Sequence, residues 1–338
     1  MSKLNISFFN CIFSLFSNTT NKINIKDIEN NNVLEVKKAI EEGANLSIRY
    51  KNNRTALMIA AIKNLFEMAK LLIEKGIDIN SRDDVGMTAL TLGVMNNSFK
   101  VVKVLLEKGA DVNAKDNLGM TVLMWVKSIE MAKLLIKERA GINIKSDAGT
   151  TALMQASQYG LLEIVKLLIE KGADVNAEKI NGRTALIYAI WKNNIEIAKE
   201  LIKNGADVNS DEDSGCAILT ALIIAVSNNY LEMAGLLLEN GANINASNHP
   251  GTTVLMVSAN KNFFDMAKLL IKKGADINAK DSYNGTALMW AADKNSFEVA
   301  KLLLEKNVDT NVVNMAGVTA LKIAERKEHR QIETLLKK

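Results

Sequence analysis

Histidines and cysteines, the residues that most often carry nucleophilic or metal-dependent catalysis, are scarce in this chain, and their spacing does not suit it. The 338 residues include two histidines, His249 and His329, and two cysteines, Cys11 and Cys216. None of them has a neighbour at the spacing of a metal site or of a nucleophile and its base. Glycine-rich phosphate loops and the common hydrolase motifs are also missing from the sequence. We therefore predict a protein that is not an enzyme, with no catalytic residue, no metal and no cofactor.

One acidic cluster could in principle hold a cation. Asp211, Glu212 and Asp213 lie within the run 210–216, which reads SDEDSGC. A calcium loop needs a longer ladder of oxygen ligands and a glutamate at its twelfth position, and this run has neither. We interpret it as a solvated finger that adds a negative contact patch. The alternative is a regulatory subunit that binds a small ligand or Ca²⁺ at 211–215.

Charge and composition exclude two further classes of function. The 42 basic and 38 acidic residues nearly balance, leaving a net charge of +4 that is spread along the chain. A nucleic-acid-binding surface would need clustered basic residues, so we predict no nucleic-acid partner. No stretch is long and apolar enough to predict a membrane span.

Residues 1–20 form an apolar N-terminal segment, MSKLNISFFNCIFSLFSNTT, with a composition unlike the rest of the chain. It has one lysine, an interrupted apolar run and no clear cleavage site, so it is a weak match to a signal peptide. The alternative is a short helix that covers the end of the fold. We predict a cytoplasmic protein, with a secreted or periplasmic location as the alternative if residues 1–20 act as a signal peptide.

The dominant feature of the sequence is a repeat of 30, 33 or 36 residues. Each unit is marked by a Thr-Ala-Leu or Thr-Val-Leu triplet, beginning at Thr55, Thr88, Thr121, Thr151, Thr184, Thr220, Thr253, Thr286 and Thr319. The threonine is suited to cap a first helix. An Asn or Gly nine residues later, as at Asn64 and Gly160, is suited to a left-handed turn. An amphipathic second helix follows and ends at a glycine such as Gly172.

This order of elements resembles the ankyrin repeat family, over roughly nine-tenths of the chain. The resemblance implies an all-α solenoid of stacked helix-turn-helix units with short β-turn finger loops. It places a degenerate N-terminal cap at 21–52, repeats at 53–318 and a C-terminal cap at 319–338. The family's Thr-Pro-Leu-His is Thr-Ala-Leu-Met here, and we expect methionines such as Met58 and Met154 to replace the histidine's polar links with apolar contacts.

Two places interrupt the period. The unit that begins at Thr121 is three residues short around 125–129, and we expect the stack to bend there. The unit that begins at Thr220 is preceded by the three-residue insertion at 210–216. Either irregularity could be tolerated drift or a functional feature.

The resemblance implies a protein partner, bound on the concave face and the finger loops. The displayed positions are the residue before each threonine and those seven and eight after it. From these we select Met87, Met120, Tyr159, Arg183, Trp191, Lys192 and Asp293 as candidate partner-binding residues. Trp191 is the expected centre, because exposed Trp, Tyr and Arg dominate interfaces; the alternative is that Trp191 only covers its own loop. Trp125 and Trp290 are expected in the core.

We therefore predict a monomeric protein–protein interaction scaffold whose partner the sequence does not identify. The alternative is an exported, host-directed effector that uses the same stack on foreign targets.

Overall fold

A computed structural model describes residues 22–213, 215, 218–248 and 251–337. The chain divides into two compact units, of which the first ends at Ala148 and the second begins at Gly149. Both consist of short helices arranged as helix-turn-helix repeats. The predicted N-terminal segment 1–20, both cysteines and His249 lie outside the described residues.

The helices of the first unit are Ile25–Glu29 (α1), Val33–Glu41 (α2), Ala56–Ile62 (α3), Phe66–Glu74 (α4), Ala89–Met95 (α5), Phe99–Glu107 (α6) and Ile129–Lys137 (α7). Two 3-10 turns accompany them, Lys51–Asn53 and Val122–Trp125.

The second unit contains Ala152–Gln158 (α8), Leu162–Glu170 (α9), Ala185–Trp191 (α10), Ile195–Lys203 (α11), Ala221–Ser227 (α12), Leu231–Glu239 (α13), Val254–Asn260 (α14), Phe264–Lys272 (α15), Ala287–Asp293 (α16), Phe297–Glu305 (α17), Ala320–Arg326 (α18) and Arg330–Leu336 (α19). One antiparallel hairpin, Asp211–Asp213 (β1) with Ile218–Thr220 (β2), precedes α12. The predicted all-α solenoid class is confirmed, with this hairpin as a local addition.

The repeat threonines begin the first helices as the sequence predicts. The side-chain oxygen of Thr184 accepts a hydrogen bond from the Ile187 amide at 3.3 Å, and Thr55 does the same for Met58. Each bond satisfies one of the amides that a helix leaves unpaired at its start. A helix of two turns is not stable alone, and these are buried on most sides, so packing against neighbouring helices stabilises them.

The methionines that follow the threonines do more than supply apolar contact. Met58 and Met154 are buried, as predicted. In addition, the Sδ atom of Met154 lies 3.4 Å from the Thr151 amide nitrogen, and Met58 and Met256 make the same contact with their own threonines. The thioether thus occupies the place of the glutamate or glutamine of a capping box, as a weak acceptor.

Within each unit, asparagines in the loops join neighbouring repeats. In the second unit the Asn176 side chain donates to the Gly205 carbonyl at 2.9 Å and accepts from the Asp207 amide at 2.8 Å. In the first unit Asn80 accepts from the Asp111 amide in the same way, at 2.9 Å. One side-chain amide therefore satisfies both a donor and an acceptor of the following loop.

The turns between helices adopt the left-handed conformation that the sequence predicts. Asn64, Asn97 and Asn193 have φ of 56°, 54° and 49°, and Gly160 has φ of 73°. Asparagine and glycine are the residues that tolerate this conformation best, so their recurrence at one position fixes where each first helix ends.

The shortened repeat has lost part of its first helix. A single 3-10 turn, Val122–Trp125, replaces the two-turn α-helix of the other repeats, and the Thr121 hydroxyl makes no capping bond. The Trp125 side chain is only partly covered, although its indole nitrogen is buried and has no partner among the described residues. The expectation that Trp125 is a core residue is therefore wrong, since it is half-buried. The expected bend at 125–129 stays a prediction.

Of the helices that the structure describes, none combines the length and the apolar character that crossing a membrane requires.

Candidate functional site

The finger loops are closed at their base by an acidic or amide side chain. In one finger of the first unit, Oδ1 of Asp83 accepts from the amides of Val85 and Met87 at 3.1 and 2.9 Å. The Asp83 amide in turn donates to the Met87 carbonyl at 3.0 Å. Met87, the residue before Thr88, is therefore held at the narrow base of this finger.

This geometry corrects one predicted contact residue. Met120 was expected to be displayed, but its side chain is only 7% exposed. Its amide is held by Asp116 in the same closed base, at 2.9 Å, and the unbranched apolar side chain is covered rather than solvated. Met87, at the equivalent position, is half-buried.

The fingertips, rather than their bases, carry the exposed apolar side chains. Leu118 is 69% exposed, and Val85 and Tyr283 occupy the same place, three residues before their threonines. Neighbouring tips are joined through the backbone, since the Asn117 amide donates to the Val85 carbonyl at 3.1 Å. These residues were not among the predicted contact positions; the signal that could have found them is a large apolar residue inside an otherwise polar turn.

A buried carboxylate organises the centre of the predicted surface in the second unit. Glu212, on β1, is 1% exposed. One of its oxygens accepts from the indole nitrogen of Trp191 at 2.9 Å, and the other accepts from Nε of Arg183. The Arg183 guanidinium also lies over the Tyr188 ring, 5.4 Å from its centroid. The structure thus brings two of the predicted residues, Arg183 and Trp191, onto one carboxylate that the sequence analysis had assigned elsewhere.

The contact with Glu212 stabilises the positive charge of Arg183. Burial alone opposes that charge, but the hydrogen bond and the negative charge of Glu212 raise the pKa of the Arg183 guanidinium above its ordinary value. A carboxylate that leaves water needs such partners to offset its desolvation. Arg183 and Glu212 therefore form a charge-paired link between the hairpin and the preceding repeat.

The acidic finger differs from the expected solvated patch at one residue, Glu212. Asp211 and Asp213 are exposed, but Glu212 between them faces inward, as alternation along a strand requires. Both of its oxygens are occupied by Arg183 and Trp191, so Glu212 is not available as a cation ligand. Within the described ranges no group of three or more His, Cys, Asp or Glu side chains is placed to hold a metal ion.

Two further predicted residues, one aromatic and one cationic, are exposed at the ends of the packed helices α8 and α10. Trp191 is 37% exposed at the end of α10, and Tyr159 is exposed just after α8. Helices α8 and α10 pack together, and Lys192 is exposed beside Trp191. The predicted positions Tyr159, Trp191 and Lys192 are thus at the surface, and Arg183 is half-buried.

Asp293 lies apart from this cluster, at the edge of a cavity of about 380 Å³ in the second unit. Its carboxylate contacts Nζ of Lys294 at 3.0 Å and Nζ of Lys327 at 3.4 Å. The hydrogen bond from Lys294, aided by Lys327 and opposed by partial burial, lowers the pKa of Asp293. Trp290 also lines the cavity and is only partly covered, so the expectation that it is a core residue is wrong.

Comparison with known proteins agrees with the repeat geometry. A family model described as ankyrin repeats (3 copies) matches residues 26–116, 120–212, 210–281 and 280–338. A search of curated proteins finds no significant match.

Proposed function

Because the chain belongs to the ankyrin repeat family, whose repeats are generally protein–protein interaction modules, we propose that it is a non-enzymatic scaffold that binds a partner protein. The proposed contact surface lies in the second unit. It consists of Tyr159, Arg183, Trp191 and Lys192, and we call it the Trp191 surface.

The observation that carries this proposal is that Trp191 is both partly exposed and held in one orientation. More than a third of the side chain is exposed, while its indole nitrogen is fixed by the buried Glu212 carboxylate. An aromatic side chain held in one orientation loses little conformational entropy when a partner covers it. Tryptophan is also among the residues that contribute most to binding energy at interfaces. A rigid, partly exposed tryptophan is therefore suited to anchor a partner.

The neighbours of Trp191 have the chemistry of an interface rim. Tyr159 adds a second exposed ring with a hydroxyl group, and Lys192 adds a cation. Arg183 is engaged by Glu212, so it contributes a paired rather than a free charge. Apolar centres surrounded by polar groups are typical of specific protein interfaces.

The experiment is an affinity purification with the full chain from its native source, followed by calorimetry with the partner it captures. Trp191→Ala is expected to weaken binding by about tenfold or more, the loss typical of an interface anchor. Phe264→Ala provides a matched control, because Phe264 is also 37% exposed but lies on the outer helix α15. Equal affinities for the unaltered chain and the Trp191→Ala variant would rule out this surface.

A further inference from the structure

The cavity beside Asp293 has walls that suit an apolar side chain. It lies where α16 packs against α18, and Met289, Trp290 and Ile323 line it. Tyr283 forms a further wall at the exposed tip of a finger. That finger is held in place, because the Met315 amide of the next finger donates to the Tyr283 carbonyl at 3.0 Å. A volume of about 380 Å³ is at the small end of the range for ligand pockets, so it suits part of a peptide rather than a large cofactor.

The acidic groups of the cavity already have partners within the protein. Asp281 is buried and accepts from the Trp290 indole at 3.1 Å and from the amides of Tyr283 and Gly285 at 2.9 and 2.7 Å. Asp293 is paired with Lys294 and Lys327. Neither carboxylate therefore offers an unoccupied site for a cationic ligand.

A cation at the rim remains unpaired. Arg326 is exposed, lines the cavity and makes no ion pair with any residue that the structure describes. A guanidinium of this kind binds carboxylates through paired hydrogen bonds. The Trp290 indole nitrogen is occupied by Asp281, so the indole contributes an apolar wall and not a free donor.

We infer that this cavity binds a partner's peptide segment in which an Asp or Glu side chain adjoins an aromatic or large aliphatic side chain. The apolar side chain enters between Trp290, Met289 and Ile323, and the carboxylate pairs with Arg326. The inference gives the proposed scaffold a second contact site, and it can fail while the Trp191 surface stands, because the two involve different residues.

The test uses NMR titration of the full chain, which detects weak binding. The probe is a blocked, amidated hexapeptide with one glutamate followed by one phenylalanine between glycines. The expected result is a shift of the Trp290 indole N–H resonance, assigned from the spectrum of Trp290→Phe. Arg326→Gln should weaken the peptide's affinity by about tenfold, the effect of losing one ionic hydrogen bond.

Matched variants and peptides separate this site from general charge attraction. Arg330→Gln removes the same charge from the cap helix α19 outside the cavity and should leave the affinity unchanged. The same peptide with glutamine in place of glutamate should bind about tenfold more weakly. Equal losses for the two arginine variants, or equal binding of the two peptides, would overturn the inference. Tighter binding by a glutamine peptide with a free carboxyl terminus would also overturn it, since the proposed ligand group is a side-chain carboxylate.

Discussion

The indole nitrogen of Trp191 lies 2.9 Å from Oε1 of Glu212, a carboxylate on the strand that opens the next repeat. The same carboxylate holds Arg183 through its other oxygen. The insertion that lengthens this finger thus supplies the residue that fixes Trp191. Substitution of Glu212 is therefore expected to affect both folding stability and the orientation of Trp191.

The first prediction concerns the Arg183–Glu212 pair. Glu212→Ala should lower the free energy of unfolding by about 2 kcal/mol, less than for a fully buried pair because Arg183 is partly exposed. Urea denaturation followed by circular dichroism measures the change. Arg183→Met should cost less in the Glu212→Ala background than in the unaltered chain. Identical costs in the two backgrounds would show that the two side chains are not coupled.

The second prediction concerns the helix cap that uses sulfur. Thr151→Ala should destabilise the protein by about 1 kcal/mol, because it removes the acceptor for the Met154 amide. Met154→Leu keeps the volume but removes the weaker sulfur acceptor, and should cost about 0.5 kcal/mol.

Met289 provides the control for that sulfur contact. It is buried at the same position after Thr286, and among the described hydrogen bonds none joins its sulfur to the threonine amide. Met289→Leu should therefore cost less than Met154→Leu in thermal or chemical unfolding. A larger cost at Met289 would contradict a stabilising role for the Met154 sulfur.

The third prediction compares two glycines of the first unit that both have positive φ. A Cβ at Gly119 would lie 2.7 Å from the backbone nitrogen of Asp147, whereas one at Gly109 would meet nothing within 4 Å. Gly109→Ala should cost about 1 kcal/mol from backbone strain alone. Gly119→Ala should cost at least about 1 kcal/mol more, because the neighbouring finger must move. The difference between their melting temperatures checks this, and equal values would refute it.

The fourth prediction concerns alkaline pH. Burial raises the pKa of Tyr50 to about 12, and its hydroxyl donates to the Ile23 carbonyl at 2.7 Å. The folded-state pKa exceeds the unfolded value, so this stabilisation is complete below pH 10 and is lost as the pH rises towards 12. Relative to Tyr50→Phe, the unaltered chain should lose about 1 kcal/mol over that range, a reduced figure because Tyr50 is only half-buried. A constant difference in unfolding free energy between the two proteins from pH 9 to 12 would contradict it.

Much of the fold could be predicted because the repeats share the same residues at the start and end of their first helices. Thr184 and Asn193 begin and end a helix through interactions within a few residues, and these are visible in the sequence. The role of Glu212 could not be predicted, because it depends on contacts with Arg183 and Trp191, 29 and 21 residues away. Counting positions from the repeat threonine also failed at the insertion, because a β-hairpin takes the place of the usual finger loop there.

Which side chains of the finger loops are exposed was harder to predict than which side chains of the helices are buried. Met120 and Leu118 are two residues apart, yet one is covered and the other exposed. The difference arises from the Asp116 side chain, which closes the base of the finger and leaves the tip outside. A period of 33 residues locates the finger, but the hydrogen bonds within it decide which side chain reaches solvent.

The asparagine links between loops affect how the number of repeats in such a chain can change during evolution. Asn176 holds the Gly205 carbonyl and the Asp207 amide, and Asn209 holds the Gly241 carbonyl and the Asn243 amide in the same way. The second link survives the three-residue insertion, because the extra residues are taken up by the hairpin between the two ends of the link. Unequal recombination between two copies of the repeat would consequently recreate the same link on either side of the crossover. A whole repeat could then be gained or lost with the same asparagine link at the new junction.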